Sequence, residues 1–260
     1  MFEKKILIGM VHLPPLPGTP FFSGDFEEII RKVKEDVISL IEGGATGCLI
    51  QTVDRIYSIK DSIDPLRLLA VGKVLDNVCQ ITDSVDFTVG IQIMRNCLKS
   101  SLAVAKLYNG NFIRAETLFG INVTPHGIVK SNPLRTIEYK QKIDAGNIKI
   151  IADIKTRHNN WTVSNKGIVE VAKYARLVGA DAVGVENFDD VNILFNEISE
   201  IKDMFPSLPV IVSGGLNIEN AFNLFKICDG ALVGNCIKNR KGTNVDKVRV
   251  RELVDIINET

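Results

Sequence analysis

Short apolar runs alternate with longer amphipathic segments along the whole chain. Runs such as KILIGMV and IKIIADI are almost continuously apolar, which is typical of parallel strands covered on both faces. Between and after these runs lie segments with apolar residues three and four positions apart, the period of an amphipathic helix. The predicted strands are Lys5–Val11, Thr46–Gln51, Asp86–Ile93, Asn111–Ala115, Ile148–Ile154, Asp181–Glu186, Pro209–Ser213 and Gly230–Gly234. Eight β/α units predict an α/β fold of the (β/α)8 TIM barrel type.

The connections predict where a site would lie. Helix-to-strand connections are short and glycine-rich, whereas strand-to-helix connections are longer, at Leu13–Gly24, Thr117–Asn132 and Thr156–Asn165. Barrel active sites are built from the loops that follow the strands. An open doubly wound sheet, the main competing fold, would carry a dinucleotide fingerprint after its first strand, where this chain has HLPPLPG. The prediction is one barrel domain over residues 1–260.

Composition excludes several function classes. Acidic and basic residues are equal in number, 31 each, so no global field would attract nucleic acid or an anionic membrane. No apolar stretch approaches the length of a membrane span, and no signal-peptide cleavage pattern follows the first apolar run. The five cysteines form no C-x-x-C pair, which favours reduced thiols. We therefore expect a cytoplasmic protein without membrane insertion or a nucleic-acid partner, and a homo-oligomer stays open.

The last two predicted strands carry the strongest local signal. PVIVSGG places Ser213, Gly214 and Gly215 at the end of the seventh strand, and DGALVGN places Gly234 and Asn235 at the end of the eighth. Glycine lets a backbone approach a phosphate closely, and a following helix N-terminus can supply N–H donors. In barrels the phosphate site lies in the loops after these strands. These five residues are the predicted phosphate socket for a phosphorylated small molecule, and the alternative is that the glycines only allow tight turns.

Polar residues occupy the other predicted strand ends. They are His12, Gln51, Arg95 with Asn96, Glu116, Asp153 with Lys155, and Glu186 with Asn187. Strand parity predicts Asp153 and Lys155 on one face, so they could form an ion pair pointing into the barrel mouth. Such a pair can tune both pKa values for acid–base or Schiff-base chemistry, and the alternative is a structural salt bridge. The candidate catalytic residues are Asp153, Lys155, Glu116, His12, Glu186 and Asn96.

Several of these candidates have a second interpretation. Glu116 and Glu186 could act in acid–base steps or bind a hard divalent metal, and no other cofactor is indicated. His12 follows the first strand, where a histidine is a catalyst or a hydrogen-bonded structural group. His126 and His158 lie on long loops and are weaker candidates. Zincin, serine-hydrolase, P-loop and EF-hand motifs are absent from the sequence.

Several segments together resemble one protein family. They are IGMVHLPPLPGTP, MRNC at Met94–Cys97, IIADIKTRH at Ile150–His158, PVIVSGGLNIENA and DGALVGNCIK, and the chain resembles the BtpA/SgcQ family over nearly its whole length. The resemblance implies a ribulose-phosphate-binding type of barrel with phosphate at the socket. The family's founding member is associated with photosystem I biogenesis, and other members with sugar-transport genes. The chain departs from the family pattern at Lys155, where histidine is common, and at Asn235, where serine or threonine is common.

Two functions from different classes fit these patterns. The first is an isomerase, lyase or glycosidic-cleavage enzyme that acts on a phosphorylated sugar or related metabolite, with Asp153 or Glu116 as base and Lys155 or His12 as acid or electrophile. The second is a non-catalytic biogenesis or regulatory factor that keeps the socket as a sensor. Several ionisable groups converging on one mouth favour the enzyme, although a fold alone does not specify a function.

Overall fold

The computed structural model describes residues 1–53, 57–156, 160–161 and 166–260. Eight parallel strands form a closed barrel, in which the first strand pairs with the last through Ile6 and Gly230. The barrel strands are β1 (Ile6–Leu13), β2 (Gly47–Thr52), β3 (Thr88–Gln92), β4 (Phe112–Ala115), β7 (Lys149–Lys155), β9 (Ala182–Glu186), β10 (Val210–Gly214) and β11 (Gly230–Val233). The prediction of a (β/α)8 barrel is confirmed.

Amphipathic helices cover the outside of the barrel. They are α1 (Phe26–Gly43), α2 (Pro65–Thr82), α3 (Leu98–Leu107), α4 (Pro133–Lys142), α5 (Ile168–Leu177), α6 (Val191–Met204), α7 (Ile218–Phe225) and α8 (Lys247–Asn258). Short polar side chains fix several of their starts: Asp64 accepts hydrogen bonds from the first turn of α2, and Asn217 forms a capping box with Asn220 at α7. No helix in the described ranges is both long and apolar enough to cross a membrane.

Side chains that point into the barrel change character along the strands. The lower interior is an apolar cluster that includes Ile8, Leu49, Phe112 and Ile151. The ring of Phe112 fills the space beside Gly90, where a Cβ atom would lie only 2.2 Å from it. Because inward positions recur every second residue, the next inward positions toward the carboxyl ends carry the polar side chains. The apolar plug therefore forms the floor on which the polar site stands.

A second, small sheet lies outside the barrel. Strands β5 (Ile121–Thr124) and β6 (Gly127–Lys130) form an antiparallel hairpin, and β8 (Asn160–Trp161) pairs with β5. The sequence pattern predicts loops at Thr117–Asn132 and Thr156–Asn165, where these strands lie. Strand β5 does not show the usual pattern of buried apolar and exposed polar residues, because Asn122 and Thr124 are buried whereas Ile121 and Val123 are exposed. His158 lies outside the described residues.

Candidate active site

A cavity of about 430 Å³ opens at the carboxyl ends of the barrel strands. Met10 and Leu232 form part of its apolar floor, and Tyr57 and Phe188 lie in its wall. Of the predicted site residues, those that line it are His12, Glu116, Asp153, Glu186, Ser213, Gly214, Gly215, Gly234 and Asn235. The cavity thus brings the phosphate socket and three carboxylates together, while Lys155 and Asn96 lie elsewhere.

Arg114 lies at the centre of the charged groups. It extends inward from β4, and its Nε donates to both carboxylate oxygens of Asp153, at 2.9 and 3.2 Å. The Asp153 side chain has no exposed surface. Burial raises the pKa of Asp153 to about 7, with further raising by Glu186 and Glu116, while Arg114 opposes the shift. Asp153 therefore holds a proton far more readily than an ordinary aspartate.

A second ion pair lies beside the first. The Arg95 Nη1 donates to Glu116 Oε1 at 2.5 Å, and the Arg95 guanidinium lies over the Tyr57 ring, 5.2 Å from its centroid. Together Glu116, Asp153 and Glu186 form a carboxylate cluster with two guanidinium groups among them. Within the described lining, three carboxyl groups lie beside two guanidinium groups. This excess of acidic groups raises the pKa of Asp153, as burial does.

The predicted ion pair between Asp153 and Lys155 is wrong. Lys155 Nζ instead binds Glu197 on α6 at 2.7 Å, and Asp153 binds Arg114. The cause is a register shift between Asp153 and Lys155 in the pairing of β7 with β9, which breaks the two-residue parity. Lys155 therefore lies outside the cavity.

Asn96 also has a different placement from the one expected. Its amide bonds the backbone carbonyl and N–H of Thr117, so it ties together the loops after β3 and β4. It lines a separate surface cleft rather than the barrel mouth. His126 lies at the tip of the β5–β6 hairpin, with its ring edge-on to Tyr57 at a centroid distance of 5.1 Å.

His12 is held between two polar partners. Its Nδ1 lies 3.3 Å from Lys238 Nζ, and the Gln51 side chain also hydrogen-bonds the ring. Burial, followed by Lys238 and Arg114, lowers the pKa of His12 to about 4. The imidazole is therefore neutral at physiological pH, which disfavours a role as a proton donor in its cationic form.

The socket glycines differ in what surrounds them. A Cβ atom on Gly214 would meet Phe188 and Glu186, and one on Gly215 would lie 2.0 Å from the carbonyl oxygen of Asn187. Gly215 also has φ of +93°, which favours glycine. Local packing thus explains glycine at both positions. Gly234 is different, because a Cβ there would meet only His12 and Met10, at ordinary contact distances of 3.6 and 3.7 Å, although the residue lines the cavity.

Two N–H groups in the first turn of α7 are already used within the helix. The N–H groups of Glu219 and Asn220 already donate to Asn217. The hydroxyl of Ser213 is buried and has no hydrogen-bond partner in the described part of the chain. It lies close to the Gly184 backbone, as Asp153 Oδ1 does, since a Cβ on Gly184 would meet both atoms at 3.1 and 2.4 Å. The Ser213 hydroxyl therefore lies on the same side of Gly184 as the Asp153 carboxylate, although the sequence places Ser213 with the socket glycines.

The expectation of a hard metal at Glu116 and Glu186 finds no matching donor set. Across the described ranges, no group of three or more His, Cys, Asp or Glu side chains is arranged to hold a metal ion. Each cavity carboxylate also lies close to a guanidinium, and Glu116 and Asp153 are hydrogen-bonded to theirs. The described residues around Glu116 and Glu186 therefore do not fit a hard metal ion.

Arg114 and Lys238 are site residues that the sequence patterns above do not indicate. Arg114 interrupts the otherwise apolar strand NFIRA, and a charged residue inside a buried strand requires a partner of opposite charge. That signal could have identified it. Lys238 lies beyond the last strand, and only the fold brings it to His12.

Comparison with known proteins assigns the family. The profile of the BtpA family matches residues 3–259. The chain belongs to the BtpA family. An uncharacterized Archaeoglobus fulgidus protein is 32% identical over 254 residues, covering 96% of this chain and 98% of its own. Photosystem I biogenesis protein BtpA of Synechocystis is 24% identical over 263 residues, covering 97% and 88%.

Solved structures with this fold are enzymes of several kinds. N-(5'-phosphoribosyl)anthranilate isomerase from Pyrococcus furiosus superposes on the BtpA-family barrel with a TM-score of 0.55 and 15% identity, over 98% of this chain and 100% of the isomerase. KGPDC from Streptococcus mutans, in complex with a phosphorylated ligand, gives 0.52 and 12%, over 87% and 92%. At these identities the likeness establishes the shared TIM-barrel fold.

Proposed function

We propose that this BtpA-family barrel is an enzyme that binds a phosphorylated small metabolite and moves a proton on it. The observation that carries the proposal is the single cavity in which the phosphate socket faces the carboxylate cluster. A substrate with a phosphate at one end and a reactive carbon at the other can occupy both regions at once. Phosphate binding then supplies energy that positions the reacting end.

The binding half of the proposal rests on Gly234. This glycine has no side chain and lines the cavity together with Asn235 and Gly215, so a phosphate there can approach the backbone of residues 234 and 235 closely. Two of the enzymes that share this fold carry phosphorylated compounds in their names or complexes, in agreement with such a ligand. The ligand class is therefore a sugar phosphate or a related phosphorylated metabolite.

The catalytic half rests on the carboxylate cluster. The Asp153 side chain has no exposed surface, and Glu186 Oε2 lies beside Gly214 at the edge of the socket. Glu186 is therefore the group placed to contact a substrate. Asp153 acts through Arg114 and Glu186 as a positioning residue that keeps one proton in the cluster near neutral pH.

The proposed step is a proton transfer next to a carbonyl group. The Glu186 carboxylate takes a proton from the carbon beside the carbonyl, and the C–H electron pair forms an enediolate. Return of the proton to the former carbonyl carbon, with transfer of the hydroxyl proton to the former carbonyl oxygen, gives an isomer. In a lyase reaction the electrons of the same enediolate instead expel a leaving group from the adjacent carbon, and the group departs with the bonding pair. Both outcomes start from the same abstraction, so one assay detects either.

Binding is tested with inorganic phosphate and D-ribose 5-phosphate by calorimetry. Gly234→Val adds a side chain to the cavity lining at ordinary contact distance from His12 and Met10, and we expect affinity for both ligands to fall at least about tenfold with little change in melting temperature. Gly146→Val is the control for adding the same side chain at a glycine outside the cavity lining, where a Cβ meets nothing within 4 Å. Equal affinities in the wild type and Gly234→Val would place the phosphate elsewhere.

Proton abstraction is tested by deuterium uptake. Aldose and ketose phosphates, D-ribose 5-phosphate among them, are incubated with the protein in D₂O, and the C–H signal beside the carbonyl is followed by NMR. We expect exchange in the wild type, a loss of at least about a hundredfold in Glu186→Gln, and full exchange in the control Glu197→Gln, whose side chain binds Lys155 outside the cavity. Exchange that survives Glu186→Gln would refute this assignment.

A non-catalytic factor is the second candidate. The name of the Synechocystis relative, a photosystem I biogenesis protein, favours it. This function predicts phosphate-ligand binding that depends on Gly234 together with no deuterium uptake from any compound in the panel. The two experiments therefore separate an enzyme from a ligand sensor on the same barrel.

A further inference from the structure

Three polar side chains occupy neighbouring inward positions on the first three barrel strands. His12 on β1 is the register partner of Gln51 on β2, and Gln51 is the register partner of Gln92 on β3. Register partners on adjacent parallel strands lie about 5 Å apart and face the same side of the sheet. The three side chains therefore form a row across the inner wall of the barrel.

The hydrogen bonds along this row have one direction. Lys238 Nζ lies 3.3 Å from His12 Nδ1, and an ammonium group can only donate, so Nδ1 accepts. The ring proton of the neutral imidazole is then on Nε2, where it can donate to the oxygen of Gln51. Gln51 in turn donates through Nε2 to Gln92 Oε1 at 2.7 Å. Lys238 thus sets the orientation of each group that follows.

The row ends at the cavity. Within the described residues, the only side-chain hydrogen bond of Gln92 is the one that its Oε1 accepts, so its amide N–H groups are left for the cavity. The residue is only 3% exposed, and it lines the cavity. A ligand oxygen in the cavity can therefore accept a hydrogen bond from this amide.

We propose that this hydrogen-bond chain, which consists of Lys238, His12, Gln51 and Gln92, holds the Gln92 amide as a fixed donor to a carbonyl or hydroxyl oxygen of the phosphorylated ligand. The chain begins beside Gly234 in the socket, since His12 Cε1 is its nearest neighbour, and ends two strands away. Two strand spacings are roughly 10 Å, a distance that an extended sugar phosphate can bridge. The identity of the ligand rests on the proposed function, whereas the chain itself does not.

This arrangement gives His12 a positioning role instead of a catalytic one. Both ring nitrogens are engaged, Nδ1 by Lys238 and Nε2 by Gln51, so neither is left to exchange a proton with a substrate. In this hydrogen-bond chain, His12 accepts a hydrogen bond from Lys238 and donates one to Gln51, and this fixes the orientation of the Gln51 amide. The acceptor oxygen bound at Gln92 would then lie next to the strand that carries Arg114, close to the carboxylate cluster.

The chain is tested without any ligand by NMR of the histidine rings. The protein has three histidines, and His12→Gln identifies the His12 signals. The charged groups that act on the ring are Lys238 and Arg114, and with burial they lower the pKa of His12 to about 4. We expect the Nε2–H tautomer at pH 7 and no titration of this ring between pH 5 and pH 8.

Changes at Lys238 test the direction of the chain. Lys238→Met should remove the fixed tautomer and raise the pKa of His12, Lys238→Arg should preserve the Nε2–H form, and Lys173→Met, on the exposed face of α5, should change nothing. An Nδ1–H tautomer in the wild type, or Lys238→Met spectra identical to those of the wild type, would overturn the proposal.

The ligand contact is tested with D-ribose 5-phosphate against inorganic phosphate. Gln92→Met keeps the length of the side chain but removes the donor, so we expect about a tenfold loss of affinity for D-ribose 5-phosphate and a change within about twofold for inorganic phosphate. Equal losses, or none, would show that Gln92 does not bind the ligand oxygen. If the wild type binds neither compound, the proposed function fails and the NMR result alone decides the hydrogen-bond chain.

Discussion

The Asp153→Asn variant keeps the shape of the side chain and removes its titratable group. In the wild type the pKa of Asp153 is raised from 3.8 to about 7 by burial, with Glu186 and Glu116 adding to the shift against Arg114. Between these two values the folded protein binds one more proton than the unfolded chain. Stability must therefore fall as pH rises through this window, and level off above it.

The size of the effect follows from the shift. A displacement from 3.8 to about 7 corresponds to at most roughly 4 kcal/mol of unfolding free energy across the window. The asparagine side chain does not titrate. The unfolding free energy of the variant relative to the wild type should therefore rise by up to roughly 4 kcal/mol between pH 4 and pH 8. Near pH 5, where Asp153 is protonated, the two proteins should differ by only about 1 kcal/mol, because Asn can still accept one hydrogen bond from Arg114.

Urea unfolding of both proteins at pH 5 and pH 8 measures the part of this effect between pH 5 and about 7, which is roughly 3 kcal/mol. An ordinary buried salt bridge behaves in the opposite way, since loss of its charge would cost about 3 to 5 kcal/mol at pH 8 and less in acid. A variant that is more destabilised at pH 8 than at pH 5 would therefore refute the argument that the carboxylate cluster holds a spare proton. Glu116 and Glu186 remain in place in both proteins, so the difference reports on Asp153.

Two further substitutions test the rest of the site. Gly215→Val should lower the unfolding free energy by more than about 2 kcal/mol in urea titrations, because it combines φ of +93° with a contact of 2.0 Å to the Asn187 carbonyl; a stable variant would show that the backbone adjusts. Lys155→Met should change stability by less than about 1 kcal/mol and leave deuterium uptake unaltered, since its pair with Glu197 is partly exposed and outside the cavity. Loss of exchange in this variant would return Lys155 to the active site.

The barrel and most of the site could be predicted from the sequence because both depend on period-two patterns. Near-continuous apolar strands predict the closed sheet, and polar residues at their carboxyl ends predict Glu116, Asp153 and Glu186 at one mouth. Parity fails where the backbone is irregular. The shift between Asp153 and Lys155 turns one of two neighbouring charges away from the cavity, and no local residue pattern announces it.

Partnerships between distant side chains lie beyond such patterns. The Asp153 carboxylate binds Arg114, 39 residues earlier, instead of the lysine two positions later. The glycines of the socket look alike in sequence and all line the cavity, yet packing against Phe188 and Asn187 explains Gly214 and Gly215 and does not explain Gly234. Which glycine serves a ligand is decided by what surrounds it in three dimensions.

Closure of the barrel has a consequence for the order in which the site forms during synthesis. Strand β1 emerges first and its partner β11 last, and the contact between His12 and Lys238 joins residues 226 positions apart. A nascent chain that stops before Gly230 contains the residues of the carboxylate cluster. It lacks the eighth barrel strand, β11, and it lacks Lys238, which orients His12. The proposed ligand site is complete only when the first and last strands have paired, so the proposed phosphorylated ligand would stabilise the finished barrel selectively over its incomplete forms.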